Sequence, residues 1–166
     1  CEAGTYIRKL CYDIGEVLGV GAHMQELRRT RAGPFTEKED MVTLHDIAYL
    51  QSQWLEKNNE NAVRRFIQPM EKALELLPKI HIRDSAVDAL CHGANLAAQG
   101  VLSLETDIKP NDAVAMLTQK GEGVTLSKAL FSSEEILKMN RGLVVKTVRV
   151  LMPRGVYPKM WHKTNH

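Results

Sequence analysis

From Thr5 onward, apolar residues return at helical spacing. Ile7, Leu10, Cys11, Ile14 and Leu18 fall on one face at i, i+3, i+4 and i+7 intervals. Thr5 stands where an N-cap is expected, and Gly19 and Gly21 stand where a left-handed stop is expected. Ala22 to Arg31 shows mixed alternation and predicts a strand, closed by the turn dipeptide Gly33-Pro34. After an acidic, polar loop, Thr43 is placed to cap a helix through about Lys57. Leu44, Ile47, Leu50, Trp54 and Leu55 lie along one side of it, and Asn58-Asn59 breaks it. Two further helical stretches follow, Glu60 to Ile67 and Met70 to Leu77, the second with Pro69 at its first turn.

At Pro78 the period changes from helical to alternating. Lys79 to Arg83 predicts a strand, and Asp84 or Ser85 is placed to cap the short helix SAVDALCHGA. Short strands are expected near Val101 to Leu104, Asp112 to Thr118, Gly123 to Leu130 and Leu143 to Met152. Lys120-Gly121-Glu122-Gly123 supplies a hairpin turn, and Ser132 a cap for the helix SSEEILKMN. Short strands with turn signals about every ten residues point to a small β-barrel carrying one or two helices. The chain is therefore expected to be α+β, with residues 1–78 as one part, 79–161 as a barrel domain and 162–166 as a tail.

Composition narrows the function classes. The 166 residues are 44% hydrophobic and 25% charged, ordinary for a globular protein. No apolar run approaches the roughly 18 residues of a membrane span. Cysteines at 1, 11 and 91 lack CxxC spacing, and the six histidines form no HExxH and a single HxxxH pair, His162 and His166, with no Cys or acid beside it. A disulfide framework or zinc site is thus not expected, and a reducing, intracellular setting is. Cys11 lies on the apolar stripe and reads as a core residue.

The net charge of +2 conceals a gradient. Residues 141–166 hold Arg141, Lys146, Arg149, Arg154, Lys159 and Lys163 and no acid, whereas residues 36–77 hold eight acids and five bases. The basic end reads either as a polyanion surface, most simply for nucleic acid, or as a solvated tail. Arg8 and Lys9 oppose the dipole of their helix, which favours anions at its first turn. An arginine so placed has either an acidic partner or a functional task. Arg28, Arg29 and Arg31 suit phosphate binding, or pair with acids elsewhere. No phosphate-binding glycine fingerprint and no nucleophilic triad is recognisable by spacing.

The segment CEAGTYIRKL resembles the strand–turn–helix of the third catalytic motif in the TruB/dyskerin family of RNA pseudouridine synthases, and GVGAHMQELRR resembles the element after it. VTLHDI and the Gln68-Pro69 helix entry also look like this family, and RDSAVDALCHGA, the KGE turn and MPRGVYPKMW resemble its C-terminal PUA domain. The resemblance spans essentially the whole chain and is closest to the archaeal and eukaryotic branch that works with H/ACA guide RNAs, with an archaeal source favoured. It implies the C-terminal part of a pseudouridine-synthase catalytic domain followed by a PUA-type barrel. The implied activity is isomerisation of uridine to pseudouridine in rRNA or tRNA, with no cofactor. The implied partners are H/ACA guide RNA, substrate RNA and ribonucleoprotein subunits, with no membrane, in the cytoplasm or, for a eukaryotic source, the nucleolus.

The resemblance also implies roles by position. Arg8 would pair with the catalytic Asp, Tyr6 would lie beside the flipped base and Leu27 would form pocket wall. Read alone, Tyr6 and Leu27 are plain core residues. Arg28 and Arg29 would lie near RNA phosphates or support the sheet. His92, Gly93 and Ala94 would approach the guide RNA closely, Gly93 because a side chain would block the backbone, although His92 could equally cap its helix. Lys120, Arg149, Arg154 and Lys159 would contact phosphates, or be ordinary surface charges.

One departure stands against this pattern. The family's catalytic Asp lies in a GTLDP-like segment, and Cys1–His166 contains none. Asp13, Asp40, Asp46, Asp84, Asp88, Asp107 and Asp112 all stand in other contexts. The abrupt opening on Cys1 fits a fragment or one chain of a split protein, inactive by itself and needing an N-terminal catalytic half. Two other readings remain open: a non-catalytic PUA-type RNA-binding adaptor, and a scaffold whose acidic helices bind proteins.

Overall fold

Helix α1 runs from Ile7 to Leu18, one residue after the position that a Thr5 cap requires. Tyr6 is its N-cap, without a side-chain cap bond, and the Tyr6 carbonyl accepts the Leu10 N–H at 3.0 Å. The helix stops at Gly19, whose φ of 68° is left-handed. The computed structural model describes residues 4–38, 41–58, 60–64 and 66–160. The expectations placed on Cys1, Asp40, Asn59, Trp161 and the 162–166 tail lie outside those residues. The described chain divides into two compact units after Ala32.

The strand expected over Ala22–Arg31 is absent. Only Arg31–Ala32 (β1) is strand, followed past the Gly33-Pro34 turn by Phe35–Thr36 (β2). Alternation alone cannot hold an extended backbone, because its N–H and C=O groups need a neighbouring ladder. Among the described residues no such ladder forms along 22–30.

In the second unit, α2 spans Leu44–Lys57 and opens with the expected Thr43 cap. The Thr43 hydroxyl accepts the Asp46 N–H while Asp46 accepts the Thr43 N–H, a reciprocal capping box. This bonding holds the Asp46 carboxyl below its ordinary value. Asn58 ends the helix at a φ of 50°. Helix α3 covers Glu60–Arg64, shorter than expected. The stretch after Pro69 is a 3₁₀ turn, Met70–Leu74, rather than an α-helix to Leu77. It packs on the sheet that follows. Leu74 is buried with Ala115 and Leu117, and the Glu71 carboxylate accepts the Gly123 N–H at 2.8 Å.

The remaining elements are β3 (Lys79–Ile82), α4 (Asp84–Cys91), β4 (Leu96–Ala97), β5 (Val101–Leu104), β6 (Ala113–Leu117), β7 (Gly123–Ala129), α5 (Ser133–Lys138) and β8 (Leu143–Val150). Six strands form one mixed sheet in the order β4-β8-β7-β6-β3-β5. All neighbours are antiparallel except β3 and β6, which run parallel with Lys79 opposite Ala115. Ser132 caps α5 in a second capping box with Glu135. At α4 the N-cap is Arg83 and carries no side-chain bond, so neither Asp84 nor Ser85 caps it. Ile80, Ile82, Val87, Leu90, Leu96, Met116, Val124, Val144 and Val145 close into one core between the sheet and α4. Fully burying each such side chain stabilises by roughly 1.5–3 kcal/mol, so this unit carries its own core.

Candidate functional site

The first unit holds an open cleft of ≈ 1120 Å³. Its walls come from the start of α1 and from the chain returning beneath it, and Tyr6, Arg8, Leu27 and Arg29 all line it. Arg28 is not among the lining residues. Lys9 and Asp13 line it too, as do Tyr12 and Met24, which carried no expectation from the sequence.

Gly15 is why the returning chain lies so close. It is buried in α1, and a Cβ there would fall 2.2 Å from the Ala22 nitrogen and 2.7 Å from the Ala22 Cβ. The Gly15 carbonyl accepts the N–H groups of Val20 and Gly21, each at 3.2 Å. A glycine in a helix is the sequence signal for such a crossing, but Gly19 and Gly21 drew attention as the stop.

The charges in the cleft are arranged unequally. Lys9 donates to Asp13 at 2.6 Å and lies 4.5 Å from the Tyr12 ring centroid. Asp13, the cleft's carboxylate, is therefore committed one turn away on the same helix. Among the described residues Arg8 has no ion-pair partner, so its guanidinium can take an external anion. Among the described residues the apolar stripe does not form a core. Leu10, Ile14 and Leu18 are exposed, Tyr6 is 81% and Leu27 61% exposed, and Cys11 is only half-buried.

The other candidates lie on the six-stranded sheet. His92, Gly93 and Ala94 form the turn after α4. His92 Nδ1 donates to the Asp88 carbonyl at 2.8 Å, which fixes the proton on that nitrogen, since a carbonyl only accepts. Gly93 has a φ of 86°, and a Cβ there meets nothing within 4 Å. In this chain glycine is demanded by the left-handed backbone and not by crowding. The Ala94 carbonyl accepts the Thr147 hydroxyl at 2.6 Å, and Asn95 accepts the Thr147 N–H at 3.0 Å. The turn is thereby fastened to β8 two residues before Arg149.

Arg149 pairs in register with Leu126, three residues from Gly123 at the hairpin end of β7. That is roughly 10 Å along the strand. Lys120 sits in this hairpin, whose turn is tied by several bonds. Thr118 Oγ1 accepts the N–H groups of Lys120 and Glu122, each at 3.2 Å, and donates to Glu122 Oε2 at 2.9 Å. Tyr157 donates to the same oxygen at 2.6 Å. The Tyr157 hydroxyl, then the Thr118 hydroxyl, hold the Glu122 carboxyl below its ordinary value, and the same bond raises the Tyr157 phenol. Arg154 and Lys159 flank Tyr157 on an exposed loop. The structure thus groups the candidates into a His92–Ala94 turn, a Lys120 hairpin with the Tyr157 loop, and Arg149 between them. Tyr157 and Thr147 were missed, because the 35 residues between Tyr157 and Glu122 and the 53 between Thr147 and Ala94 hide those contacts in the sequence. Among the described residues no three His, Cys, Asp or Glu side chains cluster as metal ligands, and no helix is long and apolar enough to cross a membrane.

Comparison with known proteins identifies the two parts of the chain. Residues 8–75 match the family described as tRNA pseudouridylate synthase B C-terminal domain, and residues 78–151 match the PUA domain. A Methanopyrus kandleri protein named probable tRNA pseudouridine synthase B is 58% identical over 161 residues, covering 97% of this chain and 47% of that protein. Its Methanosarcina barkeri namesake is 55% identical over 166 residues, 100% of this chain and 49% of that protein. Among solved structures, an H/ACA ribonucleoprotein bound to a substrate RNA containing 2′-deoxyuridine aligns at a TM-score of 0.86 and 53% identity, over 96% of this chain and 50% of that one. The archaeal box H/ACA Nop10–Cbf5 complex aligns at 0.86 and 54%, over 96% of this chain and 52% of that one. The chain spans about half the length of the relatives it matches. It belongs to the TruB/dyskerin family of pseudouridine synthases, and what it carries is that family's C-terminal domain followed by a PUA domain.

Proposed function

We propose that Cys1–His166 supplies one wall of the uridine pocket and the guide-RNA-binding domain of an H/ACA-type pseudouridine synthase, in which residues 1–78 serve the pocket and 79–161 the RNA. The observation that carries this is the cleft that brings Tyr6, Arg8 and Leu27 together while leaving Arg8 without an ion-pair partner among the described residues. The reaction needs a carboxylate, and the GTLDP-like segment that would hold it lies outside this sequence. An arginine within ~4–6 Å of a carboxylate lowers its pKa by about 1–3 units, keeping it ionised and ready to start cleavage of the glycosidic bond. Arg8 performs that task, through a charge-assisted pair that also fixes the carboxylate's orientation. Tyr6 lies beside the flipped base, and Leu27 gives an apolar wall that keeps water from the detached uracil. Flipping the target nucleotide costs a few kcal/mol, which the RNA contacts must offset.

On this reading the His92–Ala94 turn approaches the guide RNA, and Lys120, Arg149, Arg154 and Lys159 neutralise phosphates. Arg28 and Arg29 serve substrate phosphates near the pocket. The partners are guide RNA, substrate RNA and the proteins of the ribonucleoprotein. On this reading the work is done in the cytoplasm of an archaeal cell. The exposed apolar face of α1, with Val17 at 87% exposure, is the surface on which the remaining half of the enzyme packs.

The test joins Cys1–His166 to the remaining part of the Methanopyrus kandleri relative and measures pseudouridine in a guide-directed assay. The fused enzyme is expected to modify the target, and Arg8→Ala to lose at least about 100-fold in rate while guide RNA still binds. Modification by Cys1–His166 alone, or by the fused Arg8→Ala enzyme at the unaltered rate, overturns the reading.

A further inference from the structure

We propose that Tyr157 is a positioning residue for RNA binding: its hydroxyl occupies the Glu122 carboxylate and so keeps the Lys120 ammonium available to an RNA phosphate. This rests on the reading of the hairpin as part of the RNA surface and goes beyond it, because Tyr157 itself need not touch RNA.

The hairpin places an anion and a cation two residues apart at the surface where phosphates are to bind. A lysine beside a glutamate ordinarily turns to it, and a paired lysine is a poor phosphate ligand. Here the two do not pair. Among the described residues Lys120 makes no ion pair, and its Nζ lies 6.0 Å from the Tyr157 ring centroid. The reason lies in Glu122 Oε2, which already accepts two hydroxyls, from Tyr157 at 2.6 Å and Thr118 at 2.9 Å. Those donors spread the carboxylate's charge and hold it to the turn. The ring above them gives the ammonium a face to rest against without binding it tightly.

The arrangement draws on distant parts of the chain, 35 residues apart for the Tyr157–Glu122 bond. His81 on β3 adds to it by donating Nδ1–H to the Thr118 carbonyl at 3.2 Å. On the other side, the Gly123 N–H is taken by Glu71. The hairpin is therefore held from β3, from the 3₁₀ turn before the sheet and from the loop after it. Of these ties, only the Tyr157 hydroxyl can be removed without disturbing the backbone of the turn.

Removing that hydroxyl frees a lone pair on an anion, and Lys120, two residues away in the same turn, is placed to answer it. The predicted defect is thus electrostatic, and it has a rescue that a packing defect lacks. The full chain is tested against an RNA hairpin ending in single-stranded ACA, by titration across salt concentrations, with thermal melting of each variant. Lys120→Ala is expected to lower the magnitude of the salt slope by about 0.9, one phosphate contact, which is roughly eightfold in affinity at about 0.1 M salt. Tyr157→Phe is expected to lose about three- to eightfold with a corresponding fall in slope, and to keep a cooperative melting transition lowered only by the loss of the hydroxyl's bond to Glu122. Tyr157→Phe with Glu122→Gln is expected to regain the lost affinity, because a neutral amide no longer draws the lysine. In the Lys120→Ala background, Tyr157→Phe is expected to have no further effect. A Tyr157→Phe chain that binds as well as the parent overturns the proposal, as does a defect that Glu122→Gln leaves in place. Failure of the parent chain to bind the hairpin would overturn the RNA-binding reading itself. An unaltered Lys120→Ala affinity would remove Lys120 from the surface and the positioning role with it.

Discussion

Replacing Gly15 by alanine sets two well-characterised effects against each other. Helix propensity favours alanine over glycine by about 0.8–1.0 kcal/mol in a helix interior. Gly15 lies inside α1, so on propensity alone the substitution stabilises. The surroundings give the opposite sign. The new Cβ would sit 2.2 Å from the Ala22 nitrogen, 2.5 Å from the Gly21 carbonyl carbon and 2.7 Å from the Ala22 Cβ. None of these atoms belongs to a side chain that can rotate away. Ordinary contact requires the 20–22 segment to lift by more than ~1 Å, which breaks the bonds from Val20 and Gly21 to the Gly15 carbonyl. Overpacking costs about 1–3 kcal/mol and each of the two lost hydrogen bonds about 1 kcal/mol, so after the propensity gain the net effect is a destabilisation of this crossing by roughly 2–4 kcal/mol. Because the unit that holds α1 is separate from the sheet, a global melting temperature is a poor reporter. Amide hydrogen exchange at Val20 and Gly21 reads the crossing directly. The lower figure, about 2 kcal/mol, corresponds to roughly thirtyfold less protection. The consequence for function follows the same path, since Met24, Leu27 and Arg29 are carried by the segment that lifts. Equal or greater protection in Gly15→Ala would refute the reasoning, because it would show that propensity outweighs the crossing.

The remaining expectations concern the sheet. The Glu122 carboxyl lies below its ordinary value in the folded chain, so the stability it contributes is present above the unfolded carboxylate pKa and is lost as pH falls through the folded one. Glu122→Gln should flatten part of the acid limb of a stability–pH profile, leaving the part due to Asp46 and Glu135, which are also lowered; an unaltered limb would contradict the assignment. Tyr157 gives the alkaline counterpart: its raised phenol contributes stability below the unfolded pKa that is lost as pH rises through the folded one, so Tyr157→Phe should remove that loss at high pH. Gly93→Ala should cost about 1–2 kcal/mol in a denaturant titration from left-handed strain alone, since its Cβ has open space. A markedly larger loss of RNA affinity than of stability would show close RNA approach at that turn, and equal losses would exclude it.

Much of the fold is legible in the sequence, and the legible part is local. The α1 stripe, the capping boxes at Thr43 and Ser132, strand Val101–Leu104 and the turn through Lys120 all depend on residues within a few positions of one another. Helix period, cap chemistry and turn chemistry act over that range, so the chain itself decides them. The resemblance of CEAGTYIRKL and MPRGVYPKMW to known motifs is likewise a property of contiguous residues, and it led to the family. What only the tertiary structure decided is non-local. Ala22–Arg31 alternates like a strand yet forms no ladder along 22–30 among the described residues, whereas the two residues Leu96–Ala97, too short to show a period, become a strand because β8 lies beside them. Gly15 matters because the backbone returns onto it, and Tyr157 because its hydroxyl reaches a glutamate 35 residues earlier. Sequence patterns report which face a residue prefers. Which distant atom meets that face, and whether its charge is already spent, is settled only when the chain closes on itself.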